Sequence, residues 1–188
     1  MSKQDRSGTG RPAVFIDEES ALLIAPPEFA DRTPRLRPHA QAALFALAAH
    51  GYSLVLLSSQ AGSRLARWSA GEVALHQQQL LGLFQEDGES GVTDVLSCPH
   101  LPGLAGKPAC DCQLPRAGLL FEAARRHDLD LDRCWLIAGG KRTRRAARTA
   151  GCRSVVMGSG RHADTNDLMQ AAKKILRKHD PVQGMVSA

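Results

Sequence analysis

Hydrophobic positions along the chain fall into short unbroken runs alternating with longer, interrupted stretches. Ala13-Val14-Phe15-Ile16 is a solid apolar run that follows Pro12 and ends on Asp17. Such a run reads as a parallel strand buried on both faces, delivering a carboxylate at its C-terminal end. Leu54-Val55-Leu56-Leu57 is the next, ending in Ser58-Ser59-Gln60. Between them residues 38–50 are rich in Ala and Leu and are followed by Gly51, as a helix stop requires. The alternation continues. Residues 68–84 are predicted as a helix, 93–96 as a strand, and 116–127 as a helix closed by the polar turn 128–132. Then come a strand over 134–137, a helix over 141–150 stopped by Gly151, a strand over 154–157 and a terminal helix over 165–179. Strands alternating with helices predict an α/β fold of Rossmann-like type. It has a central parallel sheet, helices on both faces, and a ligand site at the strands' C-terminal ends.

At 188 residues the chain is long enough for one well-buried domain and too short for two ordinary ones. The expected arrangement is a single domain over 12–179 with flexible tails at 1–11 and 180–188. No apolar run approaches the ~20 residues that span a bilayer, which excludes an integral membrane protein. The polar N-terminus lacks the apolar core and cleavage site of a secretory signal, so the expected location is the cytoplasm.

Net charge is +5, from 24 basic and 19 acidic residues. Six of the basic residues (Lys141, Arg142, Arg144, Arg145, Arg148 and Arg153) lie within 141–153, where no acidic residue falls; elsewhere the two signs nearly balance. The basic character is therefore local. On a helix, Lys141, Arg144, Arg145 and Arg148 share one face, with Ala146, Ala147 and Ala150 opposite. This stripe reads either as an anion site beside Ser58 at the sheet edge, helped by the helix N-terminus, or as a solvated helix face. An acidic protein partner at 141–148 fits it. Nucleic acid is not expected, because aromatic residues make up only 4% of the chain and no binding module is visible.

Cys98-Pro99-His100 and, nine residues later, Cys110-Asp111-Cys112 place three thiols and an imidazole within fifteen positions. That is a complete tetrahedral ligand set for zinc, and a closed shell of four protein ligands is structural. The loop over 98–112 contains Pro102, Gly103, Gly106 and Pro108. It has little apolar material to pack and needs such a staple. Cys134 and Cys152 read as buried small groups. His39, His50, His76, His127, His162 and His179 lack metal spacing and receive no role, and Trp68 and Trp135 read as packing residues.

Over residues 13–160 the chain resembles the haloacid dehalogenase superfamily, and within it the D,D-heptose 1,7-bisphosphate phosphatase and histidinol-phosphatase group. The Cys-Pro-His element followed by Cys-Asp-Cys is the most specific likeness. The stretch 51–62 resembles the family's second motif, 115–120 the segment after its third, and 146–152 the helix after its fourth. The resemblance implies a nucleophilic aspartate, a second aspartate two residues on as general acid and base, and magnesium beside both.

In Asp17-Glu18-Glu19-Ser20-Ala21 the nucleophile is kept as Asp17, while Glu19 stands for the acid and Ser20 and Ala21 for the usual glycine and threonine. Ser58 keeps the hydroxyl of the second motif, with Ser59 beside it. Leu114 occupies the place of the catalytic lysine and Gln113 that of a substrate-holding arginine. Gly139 and Thr143 occupy the places of the two magnesium-binding aspartates. Magnesium, which needs hard oxygen ligands, would rest on Asp17 and Glu19 alone and is therefore not expected.

These positions imply a catalytically impaired relative of the phosphatases with a binding or structural role. The catalytic site is the degraded pair Asp17 and Glu19. Ser58, Ser59, Arg116 and Lys141 are the candidates for holding a sugar phosphate or other anion. Cys98, His100, Cys110 and Cys112 are the zinc ligands. The opposing expectation is an active phosphatase that forms an aspartyl-phosphate on Asp17.

Overall fold

The computed structural model of the protein describes residues 10–24, 34–58, 69–85, 91–98, 100 and 110–178. Ser59, Trp68, His179, the interior of the cysteine-rich loop and nearly all of the two expected tails lie outside the described residues. Gly10 and Arg11, at the end of the first tail, are tied down. The Arg11 backbone exchanges hydrogen bonds with Asp128 and Asp130, and Arg133 donates to the Gly10 carbonyl.

Five strands form one parallel sheet: β1 (Ala13–Asp17), β2 (Ser53–Ser58), β3 (Val92–Ser97), β4 (Trp135–Gly139) and β5 (Arg153–Met157). Their order is β3-β2-β1-β4-β5, and every pairing is parallel. From β1 the chain winds outward through β2 and β3, then returns to lay β4 on the other side of β1. The C-terminal ends of β1 and β4 therefore border the crevice where the winding direction reverses, the place where open α/β sheets bind ligands.

Successive residues on each strand feed opposite faces, as the pleat demands. Val14, Ile16, Leu54, Leu56, Trp135, Ile137 and Val155 enter one core together with residues of α1 (Ala40–Ala49), α2 (Ala70–Gln85) and α5 (Leu168–Leu176). Phe15, Val55, Leu57, Leu136 and Ala138 enter the other, against α3 (Gly118–His127) and α4 (Arg142–Ala150). Burial on both faces is what makes the strand sequences almost continuously apolar.

The expected strands and helices all form, with shifted ends. α1 starts at Ala40 and not at 38, because His39 stands in the left-handed region at φ 62°. α3 starts at Gly118 because residues 113–116 form a turn, closed by the Arg116 N–H on the Gln113 carbonyl at 2.9 Å. α5 starts after Asp167, whose carboxylate accepts from the Gln170 N–H at 2.8 Å as an N-cap; Thr165 instead bridges to Met157. Two short turns among the described residues were not expected: a single π-helical turn, Glu18–Leu22, directly after β1, and a 3-10 turn, Leu131–Arg133, before β4. Among the described residues no helix is long and apolar enough to cross a membrane.

Candidate functional site

The turn after β1 is organised by Asp17, which is 6% exposed. Its Oδ1 accepts from the Ser20 backbone N–H at 2.9 Å and from the Ser20 hydroxyl at 2.5 Å. The same hydroxyl accepts from the Gly139 N–H at 2.6 Å, so Ser20 bridges the ends of β1 and β4. In the first turn of α4 the fully buried Thr143 donates its hydroxyl to the Gly139 carbonyl at 2.9 Å. The two positions where the family resemblance places magnesium-binding carboxylates thus hold a glycine wrapped by Ser20 and a threonine turned back on the backbone. This arrangement does not fit magnesium, which takes hard oxygen ligands, chiefly carboxylates, in octahedral geometry. Ser58, at the end of β2, is buried, and its Oγ has no hydrogen-bond partner among the described residues.

Glu18 and His76 are a pairing that sequence spacing did not reveal. Glu18, next to Asp17, is 1% exposed, and its Oε1 meets His76 Nε2 from α2. The pair ties the first turn after β1 to α2 inside the core. Glu19 is half-buried.

A small concavity is lined by Asp17, Leu57, Cys112, Leu114, Arg116, Leu119, Leu120 and Leu136. Leu114 therefore stands beside Asp17, and its bond to Pro115 is cis. Among the described residues Arg116 is the one cation on this lining, and it holds Asp111 at 2.8 Å. The sequence candidates Asp17 and Arg116 come together here.

Lys141 does not join Ser58. It is exposed at the N-cap of α4, and no hydrogen bond connects the two. Arg142, Arg144, Arg145 and Arg148 are exposed as well, whereas Thr143, Ala146, Ala147 and Ala150 are buried. Arg144 is turned to the loop before α5, where it meets Asp164 at 3.1 Å and the His162 carbonyl at 3.2 Å. Asp164 also accepts from Lys174 at 2.9 Å and from the Val156 N–H at 2.8 Å. Burial works against its charge, but these donors outweigh it and hold its carboxyl below the usual value.

The Cys and His ligand atoms of Cys98, His100, Cys110 and Cys112 all lie within 4.8 Å of one another. Cys98 Sγ is 3.4 Å from Cys110 Sγ and 3.5 Å from His100 Nδ1, and Cys112 Sγ is 3.5 Å from the same Nδ1. A tetrahedral zinc with Zn–S of about 2.3 Å and Zn–N of about 2.0–2.1 Å has S···N edges of about 3.5 Å and S···S edges of about 3.8 Å. The thiols and imidazole are thus at coordination spacing, and this cluster can hold a metal ion. Burial pushes the Cys98 thiol up to about 12 and raises Cys112. At Cys110 burial is outweighed by hydrogen bonds from Cys98 and Cys112, which draw it down. Three thiols this close resist joint ionisation, and a divalent cation would relieve that resistance. Gln113 supports the site by donating to the His100 carbonyl at 3.1 Å.

Other residues take structural parts. Cys134 and Cys152 are buried, and burial pushes both thiols up to about 12. Trp135 is 4% exposed and carries the Arg153 guanidinium 5.4 Å from its ring centre. His127 and Arg126, at the end of α3, reach Asp94 on β3 at 2.7 and 3.1 Å.

No family model matches the chain. It is 29% identical over 151 residues to the D-glycero-beta-D-manno-heptose-1,7-bisphosphate 7-phosphatase of Rhodopseudomonas palustris, an alignment covering 77% of this chain and 82% of the relative. To the enzyme of the same name from Photorhabdus laumondii it is 27% identical over 179 residues, covering 89% and 90%. Among solved structures it superimposes on D,D-heptose 1,7-bisphosphate phosphatase from B. bronchiseptica, complexed with magnesium and phosphate, with a TM-score of 0.69 at 20% identity. That match covers 89% of this chain and 98% of the other. The corresponding Burkholderia thailandensis structure gives 0.64 at 15% identity, over 89% and 100%.

Proposed function

The chain belongs to the haloacid dehalogenase superfamily, and from that footing we propose that it is a phosphatase-derived, zinc-stapled protein that binds a sugar phosphate or similar anion without hydrolysing it. The observation that carries this reading is the lining around Asp17. Leu114, on that lining, stands where the family resemblance implies the charge-neutralising lysine, and Gly139 and Thr143, which are hydrogen-bonded at the end of β4, stand where it implies the carboxylates for a cation. Removing one preorganised charge stabiliser costs about 10²–10³ in rate, and three are missing together. Arg116 and the open hydroxyl of Ser58 remain as groups to which an anion can bind.

At the cysteine cluster zinc fits best, because the ligand set is three cysteines and one histidine, with two S···N edges of 3.5 Å and all ligand atoms within 4.8 Å. Bound there, zinc supplies a closed cross-link between the end of β3 and the turn before α3, and no chemistry on substrate. All five cysteines are free thiols, in keeping with the cytoplasm, and the proposed role lies in carbohydrate metabolism.

The test is hydrolysis of D-glycero-beta-D-manno-heptose 1,7-bisphosphate and a panel of other phosphomonoesters with magnesium present. The expected rate is that of the buffer. Robust magnesium-dependent turnover, abolished by Asp17→Asn, would instead establish the second reading, an active phosphatase forming an aspartyl-phosphate. That reading draws support from Asp17 and Ser58 being the last residues of two adjacent strands, Asp17 standing opposite Leu57. The exposed cations of α4 support an acidic protein partner as an additional role. Charge reversal at Arg145 and Arg148 would abolish such an association.

A further inference from the structure

Gly139 is the feature of the crevice that the reading above leaves unexplained. Its φ lies outside the left-handed region, so its backbone does not call for glycine. Space does. A Cβ built on it would stand 2.7 Å from Ser20 Cβ and 3.2 Å from Ser20 Oγ, with the Met157 carbonyl next at 3.6 Å. Ser20 Cβ is the root of its side chain and cannot swing aside. The residue that forbids a side chain at 139 is therefore Ser20.

Ser20 also does work in the space it takes. Its hydroxyl donates to Asp17 Oδ1 and accepts from the Gly139 N–H, and its own N–H is a second donor to the same Asp17 oxygen. Two donors on one carboxylate oxygen fix its orientation and compensate part of its charge, the two services a bound cation renders to a carboxylate. We infer that Ser20 and Gly139 form a matched pair in which the serine replaces a divalent cation as the group that holds Asp17. The crevice between β1 and β4 is thereby built to stand without one. The inference extends the proposed function, but it concerns cation binding and packing and not turnover.

Two measurements test it on the full chain with the cysteine site left loaded. In thermal unfolding, Gly139→Ala lowers the melting temperature by about 5 °C or more when Ser20 is present, and by under about 1 °C in a Ser20→Gly background. Equal losses in the two backgrounds overturn the matched pair. In Mn²⁺ titrations followed by electron paramagnetic resonance, the wild type shows no saturable site sensitive to Asp17→Asn up to about 1 mM, the weak end of site affinities. The Ser20→Gly/Gly139→Asp variant gains such a site, and Asp17→Asn abolishes it. Saturable Mn²⁺ binding by the wild type that Asp17→Asn removes overturns the inference even if turnover is nil. So does a folded double variant that gains no site. Turnover without such binding would defeat the proposed function and leave the inference standing.

Discussion

Replacing His76 with leucine removes the partner of a carboxylate that is 1% exposed, while the histidine itself is 7% exposed. Glu18 is shielded from water, and its Oε2 has no hydrogen-bond partner among the described residues. Removing one partner of a buried hydrogen-bonded pair leaves the other unsatisfied, at a cost of about 1–3 kcal/mol. In a domain of this size each kcal/mol moves the midpoint by about 2–4 °C, so His76→Leu should lower it by about 2–12 °C. The control removes both partners. Glu18→Leu with His76→Leu leaves an apolar contact of similar volume, and such replacements are often neutral or stabilising. The double variant should therefore recover most of the loss. Thermal and guanidinium unfolding followed by circular dichroism measures both. If His76→Leu stays within about 1 kcal/mol of wild type, or the double variant is no more stable than the single, Glu18 is not held in the interior by His76 and the account of the turn after β1 fails.

Elemental analysis of purified protein should find close to one zinc per chain; chelation or Cys110→Ser should expose the cysteine loop to protease while the sheet stays folded, since of the four candidate ligands only Cys98 is a buried member of its cores. Protein free of zinc with unchanged protease resistance would refute this. The Asp164 carboxyl, held below its ordinary 3.8, contributes stability that is present above that value and lost as pH falls through the lower folded value. Asp164→Asn should therefore cost about 1–3 kcal/mol at neutral pH and flatten the loss of stability below about pH 4, as acid titration of the unfolding midpoint would show. Restoring the family's residues at Leu114→Lys, Gly139→Asp, Thr143→Asp and Glu19→Asp should give an unstable protein without activity unless Ser20→Gly is added. Recovery of phosphatase activity with Ser20 in place would count against the packing described.

The strands were legible because burial on both faces leaves a plain mark, and Ala13–Asp17 carries it in nearly every residue. The cysteines and histidine of the cluster were legible for a different reason. They sit close in sequence, so spacing alone implies proximity, and the structure places their atoms within 4.8 Å. The basic stripe of α4 could be drawn from helical periodicity, but which way it pointed could not. Its direction depends on Ala146 and Ala147 packing into the core behind β4. His76 was unreadable, since nothing local marks a helix position whose partner is Glu18, 58 residues away.

Ser20 and Gly139 show the same limit at greater distance, being 119 residues apart. In sequence they are two separate departures from a motif, each of which reads as decay. In space the serine fills the volume that a side chain at 139 would need and takes up both the carboxylate and the amide that the absent group would have served. Unrelated losses would leave a void or an unsatisfied group between the ends of β1 and β4. The contact is instead close and hydrogen-bonded on both sides. On the proposed reading, Asp17 is held rigidly by Ser20 at the C-terminal end of β1, the position in an open α/β sheet where a carboxylate meets a ligand.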